Sequence, residues 1–184
     1  MYETDETIYS RFLLNGKSDD LRILLERHRE SLTLFLYGYV HSMEDAEELM
    51  MDAFAVAAAG TSVFSGKSSF KTWLFGIGRN LAKKHLRQKN SMLSLSETAQ
   101  TEIDPAPEQG LLQSERRREL YAAIAQLPAD YRQALYLLYI EDMSCEEAAR
   151  VMHKSKKQVY NLVFRGKKAL KEQLERNGFV DAAY

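Results

Sequence analysis

Seven Lys or Arg side chains and no Asp or Glu lie between Thr61 and Asn90. Within that stretch Lys71, Phe75, Arg79, Lys83 and Arg87 recur every fourth residue, a spacing that lays them along one slowly winding, exposed strip of a helix. Cations with an interleaved aromatic suit single-stranded nucleic acid: the charges follow the phosphates, and unstacked bases lie on rings or drop into a small pocket. Phe64 in the preceding Gly/Ser-rich loop and Phe75 on the strip are the candidate contacts. Phe70, Trp73, Leu74, Ile77 and Leu81 instead form an apolar stripe, so Phe70 and Trp73 read as core. A second run, Lys154 to Lys171, again holds seven Lys or Arg and no acid. Here Lys157, Tyr160, Asn161, Phe164, Arg165 and Lys168 are free for a DNA groove, with the cations suited to phosphates and Asn161 or Arg165 to base edges.

Acidic side chains are segregated from these patches, which a formal net charge of −1 conceals. Residues 1–60 carry 5 basic and 12 acidic side chains, and residues 91–110 carry 4 acidic and none basic. Glu44, Glu47, Glu48 and Asp52 share one helix face opposite Ala46, Leu49, Met50, Ala53, Phe54 and Ala57, and by themselves read as a solvated face. Other chemistries find no support. His28, His41, His85 and His153 are dispersed, so no metal is expected. Cys145 is the only cysteine, which excludes an intrachain disulfide. There is no Gly-rich phosphate loop and no nucleophile constellation, so neither catalysis nor a cofactor is expected.

The elements that must position these residues are helices. Leu21, Leu24, Leu25, His28, Leu32, Phe35, Leu36 and Tyr39 recur at helical spacing behind Asp19 and Asp20. Ser42 with Asp45 resembles a capping box opening a second helix. Gly60 to Ser69 reads as a loop, and a third helix begins at Phe70. Asn90 to Gln109 loses periodicity and contains Pro105 and Pro107, so residues 91–107 read as a flexible linker between domains 1–90 and 108–184. The second domain is expected to hold helices at 108–127 and 129–140, a short helix capped by Ser144 and Glu147 running through Met152, and a longer one ending at Asn177-Gly178. Helix, three-residue turn, then basic helix is the layout of a helix-turn-helix. Ala148, Val151, Val159, Leu162, Val163 and Leu170 would seat it. The fold class is therefore all-α: two small helical domains joined by a flexible linker, the C-terminal one a helix-turn-helix. With 45% hydrophobic and 28% charged residues the chain is too apolar to be wholly disordered. It shows neither a membrane-length apolar run nor a signal peptide, so a cytoplasmic protein without membrane insertion is expected.

Three motifs resemble the extracytoplasmic-function (ECF) class of bacterial sigma factors over roughly residues 8–175. Asp45-Ala46-Glu47-Glu48-Leu49-Met50-Met51-Asp52-Ala53-Phe54 is similar to the helix with which that family grips the polymerase clamp. Phe64-Ser65-Gly66, followed by Phe70-Lys71-Thr72-Trp73-Leu74-Phe75-Gly76-Ile77-Gly78-Arg79-Asn80-Leu81, is similar to its segment for promoter melting and minus-10 reading. Leu127-Pro128 with Tyr131-Arg132, Met143-Ser144-Cys145-Glu146-Glu147-Ala148-Ala149 and Phe164-Arg165-Gly166-Lys167-Lys168-Ala169-Leu170 resemble its minus-35 domain.

The resemblance implies that Asp45, Glu47, Glu48, Leu49 and Asp52 bind core RNA polymerase. It implies that Phe64, Gly66, Ile77 and Asn80 form a pocket for an extruded minus-10 base, and that Phe164, Arg165 and Lys167 face the minus-35 element. It also implies promoter DNA as a partner and an anti-sigma factor as restraint. Gly76 and Gly78 stand where the family usually has Arg and Ala, at about 1 kcal/mol of helix propensity each. His153 stands where it often has Gly, and Lys156 to Leu162 departs from the commoner run. Two other functions fit parts of the pattern: a conventional helix-turn-helix repressor or activator leaves residues 61–90 unexplained, and an all-helical enzyme lacks a catalytic constellation.

Overall fold

Behind Asp19 and Asp20, a helix buries Leu24, His28, Leu32, Phe35 and Leu36, and in the computed structural model it runs from Ser18 to Val40 (α2). The structure describes residues 3–93 and 123–176. Ahead of α2 lies Asp5–Asn15 (α1), which the apolar spacing does not announce. Its caps do: the Thr4 hydroxyl accepts from the Thr7 amide, and Gly16 ends it in the left-handed conformation at φ 63°. His41 ends α2 in the same way, its N–H donating to the Tyr37 carbonyl at 2.9 Å. Ser42 then accepts from the Asp45 amide at 3.2 Å and opens Met43–Ala58 (α3).

Phe70–Leu93 (α4) has two caps at its start. The Ser69 hydroxyl accepts from the Thr72 amide at 3.2 Å, and the Glu6 carboxylate of α1 accepts from the Phe70 amide at 2.8 Å. α4 continues through Leu93, past the expected domain limit at 90, because no Gly or Pro interrupts Asn90 to Leu93. The rest of the expected linker and residues 108–122 lie outside the described residues; of the helix expected at 108–127, residues 123–125 are helical and 126–127 turn, so it ends two residues early.

In the first of two compact units, α4 packs against α1, α2 and α3. Its core includes Leu24, Leu32, Leu36, Ala46, Ala53, Phe54 and Leu74, all nearly inaccessible. α4 and α2 approach so closely at Gly78 that a Cβ there would lie 3.1 Å from Leu32 Cδ1 and 3.3 Å from Leu36 Cδ2. Arg11 ties α1 to α2 through Asp20, at 2.9 Å from Nε and 2.6 Å from Nη2. The guanidinium holds this buried carboxyl below the usual carboxylate range.

In the second unit the helix expected at 129–140 divides. Ala129–Leu135 (α5) is α-helical, and Tyr136–Ile140 widens to a π-turn in which the Glu141 amide reaches the Tyr136 carbonyl at 3.1 Å. Periodicity does not separate these two windings. Arg132 is buried and donates to the carbonyls of Ala125 (2.5 Å) and Leu127 (3.2 Å), satisfying the turn that precedes α5. Cys145–Met152 (α6) opens on a complete capping box: Ser144 N to Glu147 Oε2 is 3.0 Å and Glu147 N to Ser144 Oγ is 3.2 Å. Ser155 and Gln158 repeat that box at the start of Lys156–Arg176 (α7). Gly166 lets α7 lie against α5, since a Cβ there would meet Leu135 and Tyr131 at 3.3 Å. The described residues contain no strand, so the described parts of both units are helical.

Candidate nucleic-acid interface

α4 is enclosed by three helices, and this decides which of its side chains reach solvent. Phe75 is fully buried with its ring centroid 5.1 Å from that of Phe35, so it is a core residue and not the exposed contact that the four-residue spacing suggests. Arg79, in the middle of the same strip, is 8% exposed. A four-residue repeat advances by about 40° per step on a helix of 3.6 residues per turn, so the strip crosses the face that α2 covers. Ile77 is also buried. Asn80, Lys83 and Arg87 are exposed, and so is Lys84, one turn beyond Asn80, which the spacing argument passed over.

Lys71 is half-buried with Nζ 5.9 Å from the Phe75 ring centroid. Gly66 is exposed at φ 69°, a conformation suited to glycine. Phe64 is half-buried in an aromatic cluster, with centroids 5.3 Å from Trp73, 5.8 Å from Tyr9 and 6.2 Å from Phe70. Tyr9 anchors that cluster by donating its hydroxyl to the Ala57 carbonyl at 2.9 Å. The loop aromatic is thus fixed against the start of α4. Neither Tyr9 nor α1 entered the sequence-based site, although the Thr4 and Gly16 caps mark that helix.

On α3, Glu47, Glu48 and Asp52 are exposed together with Met51, whose 53% exposure places an apolar side chain among the acids. Leu49 is 5% exposed and belongs to the core, a correction to its place in a partner-binding set; it lies on the Ala46–Ala53 face that packs inward. Asp45 is half-buried, 3.3 Å from His85 Nε2 and 3.4 Å from Lys89 Nζ of α4. His28 bonds Asp5 at 2.6 Å, His41 caps α2 and His153 occupies the turn between α6 and α7. His153 has φ 51°, the left-handed conformation that Gly adopts more readily. Among the described residues no three His, Cys, Asp or Glu side chains gather as a metal site.

Every side chain assigned to the groove on α7 is exposed: Lys157, Tyr160, Asn161, Phe164, Arg165, Lys167 and Lys168. Val159, Val163 and Gly166 are buried on the opposite face. Lys156 is held by Glu146 of α6 at 2.6 Å, a hydrogen bond that raises its pKa and occupies its charge. Lys167 lies 4.6 Å from the Tyr139 ring centroid, a cation over an aromatic face.

A family model described as Sigma-70 region 2 matches residues 24–92, and one described as Sigma-70, region 4 matches residues 117–170. The chain belongs to the sigma-70 family of sigma factors, carrying its regions 2 and 4 in order. It is 29% identical to the RNA polymerase sigma-H factor of Pseudomonas aeruginosa over 94% of this chain and 95% of that protein. It is 28% identical to the ECF RNA polymerase sigma-E factor of Escherichia coli (strain K12), with the same coverage of both chains. The solved structure of the sigma factor RpoE in complex with the anti-sigma factor NepR from Bartonella quintana superposes with a TM-score of 0.69 at 26% identity, covering 85% of this chain and 97% of that one.

As a sigma factor the protein serves promoter-specific transcription initiation with core RNA polymerase. The repressor alternative is not favoured, because region 2 accounts for the basic segment that a repressor leaves unexplained. No described helix is long and apolar enough to cross a membrane.

Proposed function

We propose that this sigma factor divides promoter recognition between its two units, residues 1–90 acting as region 2 and residues 108–184 as region 4, joined through 91–107. The outward face of α7 carries the reading: seven side chains suited to phosphates and base edges are all exposed, opposite a face seated on α5. In this reading Lys157, Lys167 and Lys168 hold minus-35 phosphates while Tyr160, Asn161, Phe164 and Arg165 meet base edges. In region 2, Gly66, Asn80, Lys83 and Arg87 face the minus-10 strand, with Lys84 added to them. Phe64 and Lys71 flank it, and the buried Ile77, Phe75 and Arg79 shape and support that surface. Asp45, Glu47, Glu48 and Asp52 meet a basic surface of core polymerase. Catalysis belongs to the polymerase.

The protein acts in the cytoplasm as a group IV sigma factor and is restrained by an anti-sigma factor, a partner class present in the Bartonella quintana complex. In vitro transcription with purified core polymerase on a library of bacterial promoters tests the assignment. Wild type should give discrete start sites, weakened by both Asn80→Ala and Arg165→Ala; normal transcription from both variants would overturn the two DNA surfaces.

A further inference from the structure

The first turns of α7 carry two uncharged polar or aromatic side chains whose chemistry points to particular base edges. Tyr160 is 64% exposed and Phe164, one turn further, 68%. Large apolar rings left in water on a helix whose other face is buried lack a role in the protein's own packing. At 3.6 residues per turn Tyr160 and Phe164 line one edge of the exposed face, Asn161 and Arg165 line the other, and Lys157 and Lys168 lie between them. The face therefore has an apolar edge and a hydrogen-bonding edge, divided by phosphate-seeking cations.

In the major groove only thymine presents a methyl group, and adenine presents the N7 acceptor and N6 donor pair that an Asn side-chain amide matches with two hydrogen bonds. Recognition helices of this class contact base edges mainly through their N-terminal residues. Lys156, the first residue of α7, is engaged by Glu146, which leaves Lys157, Tyr160 and Asn161 as the leading side chains.

We propose that Tyr160 and Asn161 are specificity-determining residues that select A·T pairs in the minus-35 element, Asn161 by hydrogen bonds to an adenine and Tyr160 by apolar contact with a neighbouring thymine methyl. The inference rests on α7 being the minus-35 reader. Lys157 adds affinity without base preference, because a phosphate contact is the same at every base pair.

The test uses holoenzyme assembled from core polymerase and the full chain, selecting active promoters from a template pool randomised through the minus-35 element. Wild type should enrich at least one A·T pair that Asn161→Ala leaves unselected while the other positions stay as they were. On the selected promoter, replacing that adenine by 7-deazaadenine should weaken wild-type binding by roughly tenfold and leave Asn161→Ala unaffected. Replacing the thymine by deoxyuridine, which removes only the methyl, should weaken wild type a few-fold and Tyr160→Ala not at all. If both variants enrich the same element as wild type and respond equally to the modified bases, the inference is overturned while the minus-35 reading stands. If wild type enriches no minus-35 sequence though it starts transcription at discrete sites, the minus-35 reading fails and the inference with it.

Discussion

Phe75 and Asp20 show how a single side chain can be chemically suited to one role and placed in another. Phe75 stands among cations at a spacing that suits nucleic acid, yet its ring is sealed against Phe35. Phe75→Ala is therefore expected to cost about 3–5 kcal/mol of unfolding free energy, as a large buried truncation does, measured by denaturant titration of the free protein. A change confined to promoter binding with unaltered stability would contradict its burial. Asp20 is buried against the guanidinium of Arg11, and its pKa lies below the ordinary 3.8. A carboxyl depressed in the folded state contributes stability that is complete above its unfolded pKa and is lost as pH falls through the folded value. Wild type should thus exceed Asp20→Asn in stability by the largest margin above about pH 4, the margin shrinking toward pH 2. A margin independent of pH would show that the pair contributes by packing alone.

At the scale of elements, α4 carries two glycines that composition treats alike and packing separates. Gly76 has no atom within 4 Å of where a Cβ would stand, whereas Gly78 faces Leu32 and Leu36 at 3.1 and 3.3 Å. Gly76→Ala should raise stability by up to about 1 kcal/mol through helix propensity. Gly78→Ala gains the same propensity but must push two leucines aside in a close-packed core, so its net gain should be smaller or negative. Thermal unfolding of the two variants side by side decides this; equal gains would mean that the α2–α4 contact yields freely. Much of the element pattern was legible in the residues, because caps and apolar spacing are local. Ser42, Ser144 and Glu147 cap where their sequence context indicates. α1 lacks a long apolar stripe, and the π-turn at Tyr136–Ile140 differs from an α-helix only in its hydrogen-bond register, so spacing announced neither.

Across the whole molecule, charge is sorted by segment, with acids on α3 and cations on α4 and α7. The contribution of α7 to duplex binding should therefore depend on salt. Lys168→Ala should weaken promoter binding by the holoenzyme evenly across promoter sequences and reduce the slope of log K against log salt by about 1. An unchanged slope would remove Lys168 from the phosphate contacts.

The residues alone determined the helical class, the two basic segments, the acidic helix and the helix-turn-helix with its outward face. Those features follow from residue type and near-neighbour spacing, and on α7, which buries one face only, spacing is enough to say which side chains are outside. On α4 it is not enough. That helix is covered by α1, α2 and α3, and which part of its circumference stays open depends on other helices, as where Phe35, 40 positions earlier in sequence, covers Phe75. Only tertiary packing could withdraw Phe75 and Arg79 from the surface and seat Phe64 against Tyr9 and Trp73, whereas Ile77 and Leu49 already stood on apolar stripes of their helices. Burial is a property of the neighbours a side chain acquires on folding, and those neighbours lie beyond the reach of a local pattern.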